Sequence, residues 1–256
     1  MQSTVAVCPN RRGDGGGRGR VPGVDVRGLA VALVDLVLPA ECGGCTEPPS
    51  VGAWCARCAE LLGTPAWVTL PGGPDVLAAG RNTGPLRTAL LRYKERGRRD
   101  LAAPLARHLL PALDVVLADG PGTVWLVPAP SRPAAARARG GDHVARLARA
   151  LAATRAATRP PIRVAQVLAL ARRTRDSVGL DAAERAANLA GALRVRNGVL
   201  PPPGSRVVLL DDIVTTGATL RACRDTLAAA GVTVEAAVAL CDATSGRDDH
   251  EHPPAS

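Results

Sequence analysis

Val207-Val-Leu-Leu-Asp-Asp-Ile-Val-Thr-Thr-Gly-Ala-Thr-Leu220 is the stretch from which the rest of the chain is read. Its four leading apolar residues describe a strand buried on both faces, the habit of a parallel sheet. Two carboxylates, Asp211 and Asp212, follow where that strand is expected to end. Beyond a hydroxyl- and glycine-rich turn, Leu220, Cys223 and Leu227 begin a helical apolar spacing. A turn that enters a helix gathers unpaired backbone N–H groups at the positive end of the helix dipole, which favours an anion. Thr215, Thr216, Gly217, Ala218 and Thr219 supply that nest, and Gly217 lets a phosphate approach without a Cβ in the way. The hydroxyls of Thr215, Thr216 and Thr219 add further donors. Asp211 and Asp212 would repel a phosphate, and suit two ribose hydroxyls or a hydrated magnesium ion instead. Together these residues describe a cradle for ribose 5-phosphate. An acidic cap on an ordinary strand–helix turn is the competing reading. A nucleotide P-loop is not, because no G-x-x-x-x-G-K-[ST] occurs, and the glycine-rich run at 13–19 is flanked by neither strand nor helix.

The 256 residues leave room for one large domain and a small module. A net charge of +9 rests almost wholly on arginines spread along the chain, while aromatic residues make up only 2%. Such a charge permits a nucleic-acid partner, but diffuse arginine and scarce stacking side chains do not indicate one. Against this background Lys94 is the only lysine, beside the only tyrosine, Tyr93. An ammonium is a compact charge that arginine does not replace, so Lys94 is a candidate contact to a phosphate or an acceptor; a solvated helix-end lysine is the alternative. No apolar run reaches the roughly 20 residues that span a bilayer. Residues 29–38 are interrupted by Asp35 and lead into cysteines instead of a cleavage site, so a cytoplasmic protein without membrane contact is expected.

Cys42-Gly-Gly-Cys45 and Cys55-Ala-Arg-Cys58 form two C-x-x-C knuckles. Four thiolates converging on one tetrahedral centre fit a structural Zn2+, with Cys42, Cys45, Cys55 and Cys58 as ligands. Two disulfides are the poorer explanation in a reducing compartment, and a redox pair lacks its thioredoxin-like context. With every position filled by thiolate, such a metal is structural.

Residues 84–96 and 101–113 read as helices, and 124–127 as a second buried strand ended by Pro128-Ala-Pro130. A loop with Arg132, Arg137 and Arg139 follows. A strand end opening onto arginines can hold a second anion, which makes Arg137 and Arg139 candidate contacts to pyrophosphate or an acceptor; a solvated basic loop is the alternative. Further along, 143–157 reads as a helix, 164–170 as a strand, 179–188 as a capped helix, 192–195 as a strand and 232–240 as the strand that closes the sheet. Cys223 and Cys241 read as core thiols. The expected fold is α/β, a mainly parallel sheet with helices on both faces and the cradle at its carboxyl edge, preceded by the four-cysteine module. The expected divisions are a disordered Gly/Arg-rich tail (1–22), a helix plus cysteine module (23–66), the α/β domain (67–243) and a disordered tail (244–256).

The 207–220 stretch resembles the phosphoribosyl pyrophosphate (PRPP) motif of the type I phosphoribosyltransferases: an apolar strand, two acids, then a Thr/Gly loop. From about residue 36 to 240 the order of motifs resembles the ComF family of that class, associated in some bacteria with DNA uptake during natural competence. The cysteine module, Tyr93-Lys94 with Gly97, Val127-Pro-x-Pro130, Arg137-x-Arg139-Gly140, Gly179-Leu180 with Arg185 and Asn188, Gly191-Ala192 and the acid pair carry it. The resemblance implies PRPP or a nucleotide as ligand and Mg2+ bound with PRPP. It also implies Asp211 and Asp212 as catalytic residues, in transfer of ribose 5-phosphate to an acceptor the sequence does not name. The alternative it implies is a non-catalytic accessory of competence, or a nucleotide sensor, whose module docks a competence-machinery protein. The chain departs from the family at Gly141-Asp142-His143, where Phe-Asn-Gln is usual, at Ser177 in place of Gln, and at Leu193 in place of Phe.

Overall fold

Nine residues from Arg206 to Val214 form the central strand of a six-stranded sheet in the computed structural model. The structure describes residues 41–117, 123–156, 162–171, 191–196 and 198–244. The expected N-terminal tail and helix, the capped helix at 179–188 with Ser177, Arg185 and Asn188, and the tail from 245 lie outside these residues. The strands are β1 (Ala66–Val68), β2 (Val76–Arg81), β3 (Val124–Pro128), β4 (Arg163–Val164), β5 (Leu168–Leu170), β6 (Leu193–Val195), β7 (Arg206–Val214) and β8 (Ala236–Asp242). The sheet order is β1-β2-β8-β7-β3-β4, with β1 antiparallel to β2 and the remaining neighbours parallel. β5 and β6 pair antiparallel as a separate ribbon. This is the mostly parallel α/β architecture typical of a type I phosphoribosyltransferase.

The helices are α1 (Ala56–Glu60), α2 (Gly84–Glu95), α3 (Ala102–Leu117), α4 (Pro133–Ala138), α5 (His143–Ala156) and α6 (Ala218–Ala229). Alternation along β7 divides the core in two. Val208 and Leu210 pack with Leu105, Leu109, Leu113, Leu147 and Leu151 from α3 and α5. Val207 and Leu209 pack on the opposite face with Leu220, Cys223 and Leu227 from α6. A fully buried leucine is worth about 2 kcal/mol, so these two layers fix the level at which β7 ends. Cys223 and Cys241 are both fully buried, as core thiols should be.

Four local differences from the expected pattern have physical causes. β7 does not end before the acids but runs through them, because β8 continues alongside, pairing Asp211 with Ala239 and Ile213 with Cys241. The 164–170 segment is two strands: Ala165 N–H binds Leu126 O at 3.0 Å, and the chain then leaves for the β5–β6 ribbon. The last strand starts at Ala236 and lies inside the sheet, since Val232 N–H returns to Leu227 O at 2.9 Å and belongs to the exit from α6. The arginine loop contains a short helix, α4, started by Pro133, whose missing N–H costs nothing there.

Candidate functional site

Successive residues of a strand face opposite sides of the sheet, and the acid pair divides accordingly. Asp211 lines the cleft of the 213–220 turn, whereas Asp212 reaches towards α2 and α5. Both are buried, with 8% and 5% of their surface exposed. Asp212 Oδ2 accepts from Lys94 Nζ at 2.8 Å and from His143 Nε2 at 2.6 Å. Burial resists ionisation of Asp212, but these two donors outweigh it and hold the carboxyl below its usual range. Asp211 accepts from the Asp212 N–H at 2.8 Å. Burial first, and the neighbouring Asp212 charge second, push its pKa well above the ordinary 3.8. The two environments therefore push the neighbouring carboxyls in opposite directions.

His143 is the residue that sequence reading missed. A carboxylate only accepts, so Nε2 carries the proton towards Asp212. Nδ1 meets Ser131 Oγ at 3.1 Å, and Ser131 Oγ in turn donates to Asp142 Oδ1 or to His143, depending on the tautomer. Asp142 caps α5, accepting from the N–H groups of Val144 and Ala145 at 3.0 and 3.2 Å. The Tyr93 hydroxyl donates to His143 O at 2.7 Å and fixes the backbone of this clamp. Gly141-Asp142-His143 therefore supplies a helix cap and a carboxylate clamp. An Asp one residue before a predicted helix was the available signal for the cap; nothing local announced the clamp.

The turn after β7 leads from Val214 into α6. Thr215 and Thr216 are exposed, and their N–H groups and that of Gly217 have no acceptor among the described residues. Gly217 stands at φ +70° as the first residue before α6, with no side-chain cap. Ala218 and Thr219 open the helix, whose first turn lacks intrahelical acceptors; the Ala218 N–H reaches Thr216 Oγ1 at 3.5 Å. Leu70, from the β1–β2 connection, lies over Gly217: a Cβ there would stand 2.5 Å from Leu70 Cδ1. Arg221 holds that connection down by donating to Pro71 O at 2.7 Å. Gly217→Ala is therefore expected to cost about 2 kcal/mol, from the left-handed backbone and the leucine contact together. Urea unfolding of this variant, of Leu70→Ala and of the double variant checks it. The double variant should recover part of the loss, and strict additivity would contradict the contact.

Lys94 and Arg139 line a second cavity of about 370 Å³, together with Tyr93, Arg99, His143 and Arg146. Arg137 lies exposed on α4 and does not line this cavity. Among the candidate anion contacts, Lys94 and Arg139 are brought together and Arg137 is not.

The sulfurs of Cys42, Cys45, Cys55 and Cys58 all lie within 4.8 Å of one another, a possible metal site. Tetrahedral bonds of about 2.3 Å to zinc place sulfurs roughly 3.8 Å apart, so the donors fit such an ion with little movement. Burial disfavours the Cys42 thiolate, yet N–H donors from Cys55 and Gly44 prevail and bring its pKa down to about 7. Burial and the neighbouring sulfurs push Cys58 upward, as expected of thiols crowded without a cation. The knuckles rest on α2 through Arg92, which donates to Cys42 O and Cys45 O at 2.7 and 2.8 Å. No described helix is long and apolar enough to cross a membrane.

With the acid pair, turn and parallel sheet in place, the comparisons add that residues 144–256 match the phosphoribosyl transferase domain. The chain is also similar to an orotate phosphoribosyltransferase from Acidithiobacillus ferrooxidans (strain ATCC 53993 / BNL-5-31), at 40% identity over 65 residues. That alignment covers 25% of this chain and 33% of the relative, so the chain spans about a third of the length of the curated relative it matches.

Proposed function

We propose that the protein is a PRPP-binding phosphoribosyltransferase of the ComF type, working in the cytoplasm with Mg2+ bound alongside PRPP and a structural Zn2+ on the four cysteines. The observation that carries this reading is the adjacency of unpaired N–H groups in the 215–217 turn to a buried acid pair, Asp211 and Asp212. The 5-phosphate sits over the turn of Thr215, Thr216, Gly217, Ala218 and Thr219, approached from the exposed Thr215 and Thr216 because Leu70 covers Gly217 and the cleft beneath, about 30 Å³, has room for little more than a water. The carboxyls of Asp211 and Asp212 hold the two ribose hydroxyls. Magnesium, when bound, neutralises charge on the diphosphate and orients it. In the transfer the C1–O bond breaks, with positive charge developing on the sugar and negative charge on departing pyrophosphate. Lys94 keeps Asp212 ionised next to the sugar. Catalysis is then positioning and charge stabilisation with no protein nucleophile.

Pyrophosphate release from PRPP and magnesium, measured across bases and amines, tests this. Release well above background with at least one acceptor is expected. PRPP binding with release at background for all of them would make the chain a non-catalytic binder, an accessory or sensor in DNA uptake, instead of an enzyme.

A further inference from the structure

The 370 Å³ cavity lies between the last turn of α2, the Arg99–Leu101 turn, α4 and the start of α5. It meets the acid pair through Lys94 and His143, the two donors to Asp212, while the hydroxyl turn lies on the Asp211 side. We propose that this cavity is the acceptor subsite and that the acceptor is a small flat molecule carrying two negative charges. The acceptor role rests on the reading of Asp211 and Asp212 as the ribose site; the charge preference does not.

Charge decides the ligand class. Four fixed cations line the cavity: Lys94, Arg99, Arg139 and Arg146. Lys94 is answered by Asp212 at 2.8 Å and Arg139 by Glu95 at 3.3 Å. Arg99 and Arg146 have no acidic partner among the described residues; they donate to the carbonyls of Arg139 and Gly140 at 2.8 and 3.3 Å. Two guanidinium groups are left without counter-charge, and each presents a fork that fits a carboxylate or phosphate. Arg99 also packs closely on Gly140, where a Cβ would collide with its guanidinium.

Size and walls decide the rest. The volume falls within the roughly 300–1,000 Å³ of small-molecule pockets, more than a bare diphosphate needs. Tyr93, Gly97, Ala135 and Ala138 supply uncharged wall that a flat organic body would cover and pyrophosphate would not. In the transfer, the acceptor's nucleophilic nitrogen forms a bond to C1 as the C1–O bond of PRPP breaks. The nitrogen's proton goes to solvent, pyrophosphate leaves, and the charges of the cavity stay as they were.

Calorimetric titration of the full chain with pyridine, pyridine-3-carboxylate and pyridine-2,3-dicarboxylate, without PRPP, is the test. Affinity should rise about tenfold with each added carboxylate. The Arg99→Gln/Arg146→Gln double variant should lose that preference while keeping its melting temperature and its affinity for magnesium–PRPP. No rise with charge, or a rise that survives the double substitution, would overturn the proposal. So would inorganic pyrophosphate binding more tightly than the dicarboxylate, with PRPP affinity falling in the double variant, since the cavity would then belong to the leaving group. An intact charge series in a protein that does not bind PRPP would uphold the dianion site and sink the ribose reading alone.

Discussion

Asp212→Asn is expected to lower folding stability by about 2 kcal/mol and to weaken PRPP binding about thirtyfold, whereas Asp211→Asn should weaken binding but stabilise the fold. The opposite signs follow from the split pair. Asp212 is buried but doubly paired, and an amide there leaves the Lys94 ammonium facing a group that cannot neutralise it. Breaking a buried pair costs about 3–5 kcal/mol, and the partial exposure of Lys94, 27% at its side chain, reduces that. Asp211 is buried with one backbone partner, so an amide removes a poorly placed acid and keeps an acceptor for the Asp212 N–H. The gain is about 1 kcal/mol.

The pH dependence separates the two acids further. The Asp211 pKa is raised in the folded state, so above the ordinary 3.8 the folded chain holds a proton that the unfolded chain has lost. Stability on this account falls as pH rises from about 4, and the advantage of Asp211→Asn over the parent grows in the same direction. Asp212 is lowered, so its contribution is present above 3.8 and fades as pH drops towards its folded value. Thermal melts of both variants between pH 2 and 8 read these slopes. Parallel curves for the two would contradict the split assignment.

Cys45→Ser is expected to remove most of the bound zinc and to cost about 3 kcal/mol or more in the cysteine segment, because metal binding and local folding are linked. Cys42, Trp54 and Cys58 belong to the same buried cluster as Leu86, Leu101 and Tyr93. Loosening the knuckles therefore releases Arg92 from its two carbonyls and disturbs α2, which carries Lys94. Zinc content by mass spectrometry, with hydrogen exchange over 42–58 and 84–95, measures both effects. Full retention of metal and of protection would refute the zinc assignment.

Much of this was legible because its signals are local. The apolar run before Asp211, the Thr/Gly turn and the two C-x-x-C knuckles each state their geometry within a few residues. What escaped depends on partners far away in the chain. That β7 continues through Asp211 and Asp212 depends on β8 lying alongside, some thirty residues later. The His143–Asp212 contact joins residues 69 apart, and its chemistry is invisible until α5 meets the sheet. β2, a fully interior strand until Arg81, was overlooked because Ala78, Ala79 and Gly80 give a weak pattern; small residues are needed there beneath His108 and Leu86.

Calorimetric titration of the full chain with PRPP and magnesium tests the central claim most directly. One saturable site per chain is predicted, weakened about thirtyfold by Asp212→Asn and also weakened by Gly217→Ala. No binding, or an affinity that both substitutions leave unchanged, would contradict it.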